Sequence, residues 1–164
     1  VSNVNYLPGE SVAGAAIVPV STAGMICVRS SEPADVIVDI TGSFTADGEL
    51  RFVPADPTRV LDTRNAIGGW SPIQGGDQVI DVRAVPAGAR AVTGTLTIVA
   101  PLRDGWLAAY GCGDRPPTSS VNSSRDQVMA NAVTTGVDAD GRICVLTSAT
   151  ATHSLLDVTG WWTS

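Results

Sequence analysis

Residues Ser2 to Phe44 are echoed by Ser119 to Trp162, about 117 positions further along, with an unrelated stretch between them. Ser2-Asn3-Val4-Asn5 answers Ser119-Ser120-Val121-Asn122, Ile26-Cys27-Val28 answers Ile143-Cys144-Val145, and the VDITGSF of Val38 to Phe44 answers the LDVTGWW of Leu156 to Trp162. An internal repeat limits architecture before any single residue does, because both copies must be buildable from the same local structure. It points to a modular, strand-built piece and away from a self-contained enzyme.

The kind of structure repeated is set by composition and period. Charged residues make up only 16% of the 164, below the roughly 25% usual for soluble domains. All ten basic residues are Arg, and the sixteen acids are thirteen Asp to three Glu. Glu and Lys are the common occupants of exposed helix faces, so their scarcity argues against helices, and Asp favours turns. At Val92 to Val99 the chain alternates cleanly, with Val92, Gly94, Leu96 and Ile98 on one face and three threonines on the other, a half-buried strand. Further strands are expected at 15–20, 25–29, 36–40, 50–53, 78–82, 106–110, 132–137, 143–147 and 154–158, with turns at Ala23-Gly24, Asp47-Gly48, Pro86-Ala87-Gly88 and Asp140-Gly141. Asn65 to Gly76, with four glycines, Pro72 and Trp70, is expected to be a long surface loop. The expectation is one all-β domain over 1–164, an antiparallel β-sandwich or jelly roll. Its repeated half-unit, 2–44 and 119–162, flanks a unique segment at 50–113.

The net charge of −6 with dispersed arginines offers no basic stripe, which excludes nucleic acid as the expected partner. The uncharged run from Ser11 to Val28 has the length of a membrane span, but Gly14, Pro19 and Gly24 interrupt it, so two strands and a turn are expected and no membrane insertion. No signal peptide is visible, and the chain is expected to be a mature fragment or an excerpt of something longer.

Cys27 and Cys144 occupy equivalent positions in the two copies, whereas Cys112 has no counterpart. The simplest pairing is Cys112 with Cys144. It closes a loop of about 30 residues and contributes on the order of 3 kcal/mol in the chain-entropy view. Cys27 is then unpaired, or bridged to an upstream unit or another chain. The alternative is three buried thiols in a reducing compartment.

Several segments together resemble the repeat unit of many secreted actinobacterial proteins. They are PTRVLDTR at Pro57 to Arg64, VPAGARAVTGTLTIVAP at Val85 to Pro101, GWLAAYGCG at Gly105 to Gly113, SSVN at Ser119 to Asn122, and the closing LLDVTGWW. That family runs from a P-x-R-L-L-D-T-R segment through G-Y-L-T-x-x-P-C-G, N-x-N and V-C-L segments to a V-D-V-x-G-Y-F ending. The resemblance implies a secreted or surface-associated accessory role and carries no activity. If the family order holds, residues 1–44 are the tail of one unit and 52–162 a complete one. The second copy departs from the pattern by reading Ser123-Ser124-Arg125-Asp126 where the first has a Tyr6-Leu7-Pro8-Gly9 turn.

Candidate chemistry is sparse. The lone histidine, His153, falls inside an expected strand and is read as a sheet-face residue, not a catalytic base. The repeated Asp39 and Asp157 are the best acids for a glycosidase pair, yet each ends a strand where turn hydrogen bonds are the better use. Asp62 and Arg64, with Arg59 beside them, are expected to form a structural ion pair. Asp138-Ala139-Asp140-Gly141 opens like a calcium loop but lacks the later acid, and no metal or cofactor is expected. The aromatic residues carry the binding hypothesis: Trp70, Trp106 and Tyr110 are candidate platforms for a sugar face, Trp70 above all because it has no obvious core duty. Two functions follow. One is a noncatalytic structural, adhesion or interaction module that packs against neighbouring units or another subunit. The other is a polysaccharide- or peptidoglycan-binding module appended to a secreted hydrolase.

Overall fold

The structure is a computed structural model that describes residues 2–71, 78–148 and 151–164. Its eight strands are β1 (Arg51–Asp62), β2 (Gln78–Arg83), β3 (Ala91–Val99), β4 (Gly105–Gly111), β5 (Val121–Ser123), β6 (Val128–Gly136), β7 (Arg142–Thr147) and β8 (His153–Thr163). They form two antiparallel sheets, ordered β1-β8-β3-β6 and β2-β7-β4-β5. The first strand lies beside the last, the second beside the seventh, the third beside the sixth and the fourth beside the fifth. Two more ladders, β3–β8 and β4–β7, complete the sheets. This is the strand order of a jelly roll, a chain folded back on itself as a four-strand-deep hairpin and rolled into a sandwich.

Strand character follows from side-chain alternation. In β3 every second residue from Val92 to Ile98 is buried while the threonines between them are half-exposed. Leu61, Ile80, Leu96, Ile98, Leu107, Ile143 and Leu156 meet between the sheets as the core. A second, smaller cluster of Ala108, Tyr110, Cys144 and Leu146, with Trp106 and Cys112 against it, forms on the opposite side of the β4–β7 pair. Alternate residues of one strand thus serve two clusters. β1 carries Pro54 and Pro57 and shifts register between Pro54 and Thr58, as suits an edge strand.

The seven strands expected from Leu50 onward form, most of them extended by a few residues. The three expected at 15–20, 25–29 and 36–40 do not: among the described residues none before Arg51 is in a strand. The cause is pairing. Every ladder partner of β5–β8 lies in β1–β4, and the chain carries one β1–β4 set for two copies of its complement. Residues 119–163 take it. Local alternation is the same in both copies, but a strand needs a neighbour for its backbone N–H and C=O groups.

The turns of the leading copy nonetheless match those of the docked one. Gly24 N–H donates to Ser21 O (2.9 Å) and Ser21 N–H to Met25 O (3.0 Å), just as Gly141 N–H donates to Asp138 O (3.0 Å) and Asp138 N–H to Arg142 O (3.0 Å). The Ser21 Oγ accepts from Met25 N–H as the Asp138 Oδ1 accepts from Arg142 N–H. Glu10 N–H donates to Leu7 O and accepts back through its carboxylate from Leu7 N–H, and Gln127 and Ser124 repeat both bonds. The Tyr6-Leu7-Pro8-Gly9 and Ser123 to Asp126 segments are therefore one turn type despite their different letters.

Gly24 and Gly141 both have φ +74°. A Cβ on Gly141 would strike the Val85 carbonyl oxygen, whereas one on Gly24 meets nothing within 4 Å. Both alanine substitutions carry the left-handed penalty of about 1–2 kcal/mol in the local turn, but only Gly141→Ala also drives a methyl into backbone, adding about 1–3 kcal/mol. Thermal unfolding of the two variants is expected to show a clearly lower midpoint for Gly141→Ala and little change for Gly24→Ala.

Candidate functional site

The charged residues at the end of β1 form a network across the first sheet. Arg59 grips Asp157 of β8 with two parallel bonds, Nε to Oδ1 and Nη2 to Oδ2, both 2.8 Å. Asp62 is 1% exposed and accepts from Arg64 Nε (2.9 Å), Arg64 Nη2 (2.7 Å) and the Arg64 backbone N–H (3.0 Å). Longer bonds from Arg59 and Asn65 complete its set. Since β1 ends at Asp62, Arg64 reaches back from the following turn and does not share a strand face with it. The Arg64 side-chain hydrogen bonds hold the Asp62 carboxyl well below the usual carboxylate range despite burial. The Arg59 and Arg64 guanidinium groups are raised in turn, chiefly by their bonds to Asp157 and Asp62. Asp62 is buried and its carboxylate is engaged by Arg64, Arg59 and Asn65. The geometry of the cluster is that of a clasp between the first and last strands. Asp39, the counterpart of Asp157, lies in the exposed leading segment.

His153 lies at the start of β8, where its Nδ1 is 3.2 Å from Thr63 Oγ1. Thr63 Oγ1 also accepts from the Ser154 backbone N–H. The neighbouring Ser154 hydroxyl is fully buried without a partner, so no substrate atom reaches it. Asp138 Oδ1 accepts from the backbone of Asp140 and Arg142, an Asx turn, in place of the calcium-loop role its spacing suggests. Among the described residues no three His, Cys, Asp or Glu side chains converge as metal ligands.

Trp70, Trp106 and Tyr110 do not make one platform. Ile67 bridges back to Asp62 and so folds the start of the 65–71 loop onto β1. Trp70 then packs half-buried against the main core and donates from Nε1 to the Asp81 carbonyl (3.0 Å). The expectation of a free indole in a surface loop is corrected accordingly, while Pro72 to Gly76 of that loop lie outside the described residues. Tyr110 is 7% exposed, its ring held in the second cluster. Trp106 alone lines a shallow surface recess, with Pro117, Thr118, Ser119 and Arg115, whose guanidinium lies 5.1 Å above the indole.

Cys112, just after β4, is bonded to Cys144 of β7, and Cys27 is a free, exposed thiol. The bridge ties the loop after β4 to the strand beside it in the second cluster. No helix of the described residues is long and apolar enough to cross a membrane.

Most of the exposed large apolar side chains among the described residues lie in the leading segment. Ile37 is 87% exposed where its counterpart Leu155 is 5%, and Ile40 is 84% exposed where Val158 is 4%. Ile26, Val28 and Val38 are likewise exposed, and their counterparts Ile143, Val145 and Leu156 lie in the core. Fully burying one such side chain is worth about 1.5–3 kcal/mol. The segment touches the sandwich at Phe44, whose ring centroid is 5.6 Å from that of Trp162. What the sequence missed here is the Arg59–Asp157 pair, 98 residues apart, for which the only signal was the recurrence of aspartate at 39 and 157.

No protein-family model matches this chain, and no curated protein matches it.

The Asp62 clasp makes stability depend on pH with a defined sign. A carboxyl whose folded pKa is depressed contributes fully above its unfolded value, about pH 4, and its contribution fades as pH falls toward the folded value. Asp62→Asn is expected to lower unfolding free energy by about 2 kcal/mol at neutral pH. In urea titrations repeated down the pH scale, the gap to the unsubstituted chain should narrow below pH 4 or so.

Proposed function

We propose that this chain is a noncatalytic module of a secreted or cell-surface protein, with a structural, adhesion or protein–protein interaction role. The observation that carries this reading is the set of exposed apolar side chains Val4, Ile26, Val28, Ile37, Val38 and Ile40, whose counterparts Val121, Ile143, Val145, Leu155, Leu156 and Val158 are buried in the sandwich. Apolar side chains exposed in this number mark a contact site for another polypeptide. The Cys112–Cys144 bridge is compatible with an oxidising, extracellular setting. The resemblance to secreted actinobacterial repeat units supports the same location and a partner that is a neighbouring unit or another subunit.

A second reading is a carbohydrate or cell-wall binding module. It is favoured by Trp106, set beside Arg115 in an open recess of a jelly roll, an architecture that hosts lectin domains among others.

Sedimentation of the full chain over a wide concentration range separates the two. The interaction reading predicts concentration-dependent association that Ile37→Asp/Ile40→Asp abolishes while the thermal midpoint stays put, because neither residue belongs to the sandwich. A chain that stays monomeric, and is retained on polysaccharide or peptidoglycan until Trp106→Ala removes the retention, would establish the second reading instead.

A further inference from the structure

Resting on the reading of the chain as an interaction module, we infer that residues 2–45 are a donor half-sandwich. Their partner is a polypeptide of the β1–β4 type, a run of four strands like Arg51–Gly111 followed by a cysteine placed like Cys112. The segment docks on that partner strand for strand, as residues 119–163 dock on β1–β4 in this chain.

Three independent contacts predict the fit. Each joins the docked copy to β1–β4, and each has its counterpart kept and unoccupied in the leading copy. The Gly141 turn lies under the Val85 carbonyl and its own carbonyl accepts from Ala84 and Val85 N–H, while Gly24, in the same turn at the same φ, faces open space. A Cβ on Gly160 would strike the Phe52 ring and the Val53 carbonyl, whereas one on Gly42 meets nothing within 4 Å. Asp157 holds Arg59, and Asp39 is the same aspartate without an arginine. Five core positions are kept apolar: Val4 for Val121, Ile26 for Ile143, Val28 for Val145, Val38 for Leu156 and Ile40 for Val158. Arg29 in place of Leu146, Ser43 in place of Trp161 and Tyr6 in place of the buried Ser123 are departures.

The chain's own β1 provides a test bed. In the β1–β8 ladder Phe52 pairs with Trp162 and Arg51 with Thr163. Phe44 and Thr45 are the counterparts of those β8 residues, and Ala46 to Leu50 lie between Thr45 and Arg51. Five residues suffice for a β-hairpin connection, and the Gly48 N–H to Thr45 O bond already turns the chain there. The leading copy can therefore reach β1–β4 from the amino-terminal side, as a circularly permuted sandwich, once the trailing copy is unseated. Cys27 then falls where Cys144 was. The bridge forms by exchange with a low-molecular-weight disulfide: the Cys27 and Cys112 thiols each lose a proton, their sulfurs join, and the reagent leaves as two thiols.

The experiment uses the full chain carrying Gly141→Val, Cys144→Ser and Leu156→Asp, which removes the trailing copy's turn, bridge and core contact. It is equilibrated with oxidised and reduced glutathione, and its disulfides are mapped by mass spectrometry. The inference predicts a Cys27–Cys112 bridge formed at least about tenfold more completely under native conditions than in denaturant, as an ordered pair of segments requires. Cooperative unfolding should be retained, and both properties lost on adding Gly42→Val. A bridge no more frequent than in the denatured chain, or one indifferent to Gly42→Val, would overturn it. That failure would leave the association test of the interaction module untouched, since Ile37→Asp/Ile40→Asp reports contact by the segment with any partner.

Discussion

Among the described residues every β-ladder joins a strand from Arg51–Gly111 to a strand from Val121–Thr163, and none joins two strands of the same half. Each half is thus a set of strands without neighbours of its own. Backbone hydrogen bonding, the intersheet core and the side-chain contacts between halves all arise at once or not at all. This all-or-none dependence explains why the same sequence pattern is folded at one end of the chain and exposed at the other.

The contacts that cross between halves are varied in kind. Apolar burial supplies the largest share, with Leu61, Ile80, Leu96, Ile98 and Leu107 of one half meeting Ile143, Val145 and Leu156 of the other. The Arg59–Asp157 fork fixes β1 against β8, and the Arg142–Asp81 pair does the same for β7 and β2. The Cys112–Cys144 bond closes the seam covalently where the second half begins. Charged pairs at partly exposed positions add modestly to stability, but their directionality rejects a strand shifted by one residue, which would turn every side chain to the wrong face.

Much of the sandwich was legible because its signals are local. The alternation of Val92 to Val99 marks β3, and Asp140-Gly141 marks the turn into β7. Other features depend on contacts far away in sequence. β1 runs on through Pro54 and Pro57 to Asp62, since an edge strand tolerates prolines that a central strand excludes. The three-residue β5 is too short to show a period. Trp70 looked free in its glycine-rich loop, and only the fold of that loop onto β1 brings its indole to Asp81. The strands expected at 15–20, 25–29 and 36–40 have the right pattern and no partner. Sequence pattern reports what a segment is able to become, and pairing decides whether it does.

Residues 2–50 hold the turns of a half-sandwich but none of its ladders, because one β1–β4 half serves two complements. Amide hydrogen exchange of the dilute chain, followed residue by residue, tests it most directly. Slow exchange is expected across β6, β7 and β8, with near-unprotected exchange at the matching positions 11–20, 25–30 and 36–45. Comparable protection in both copies would contradict it.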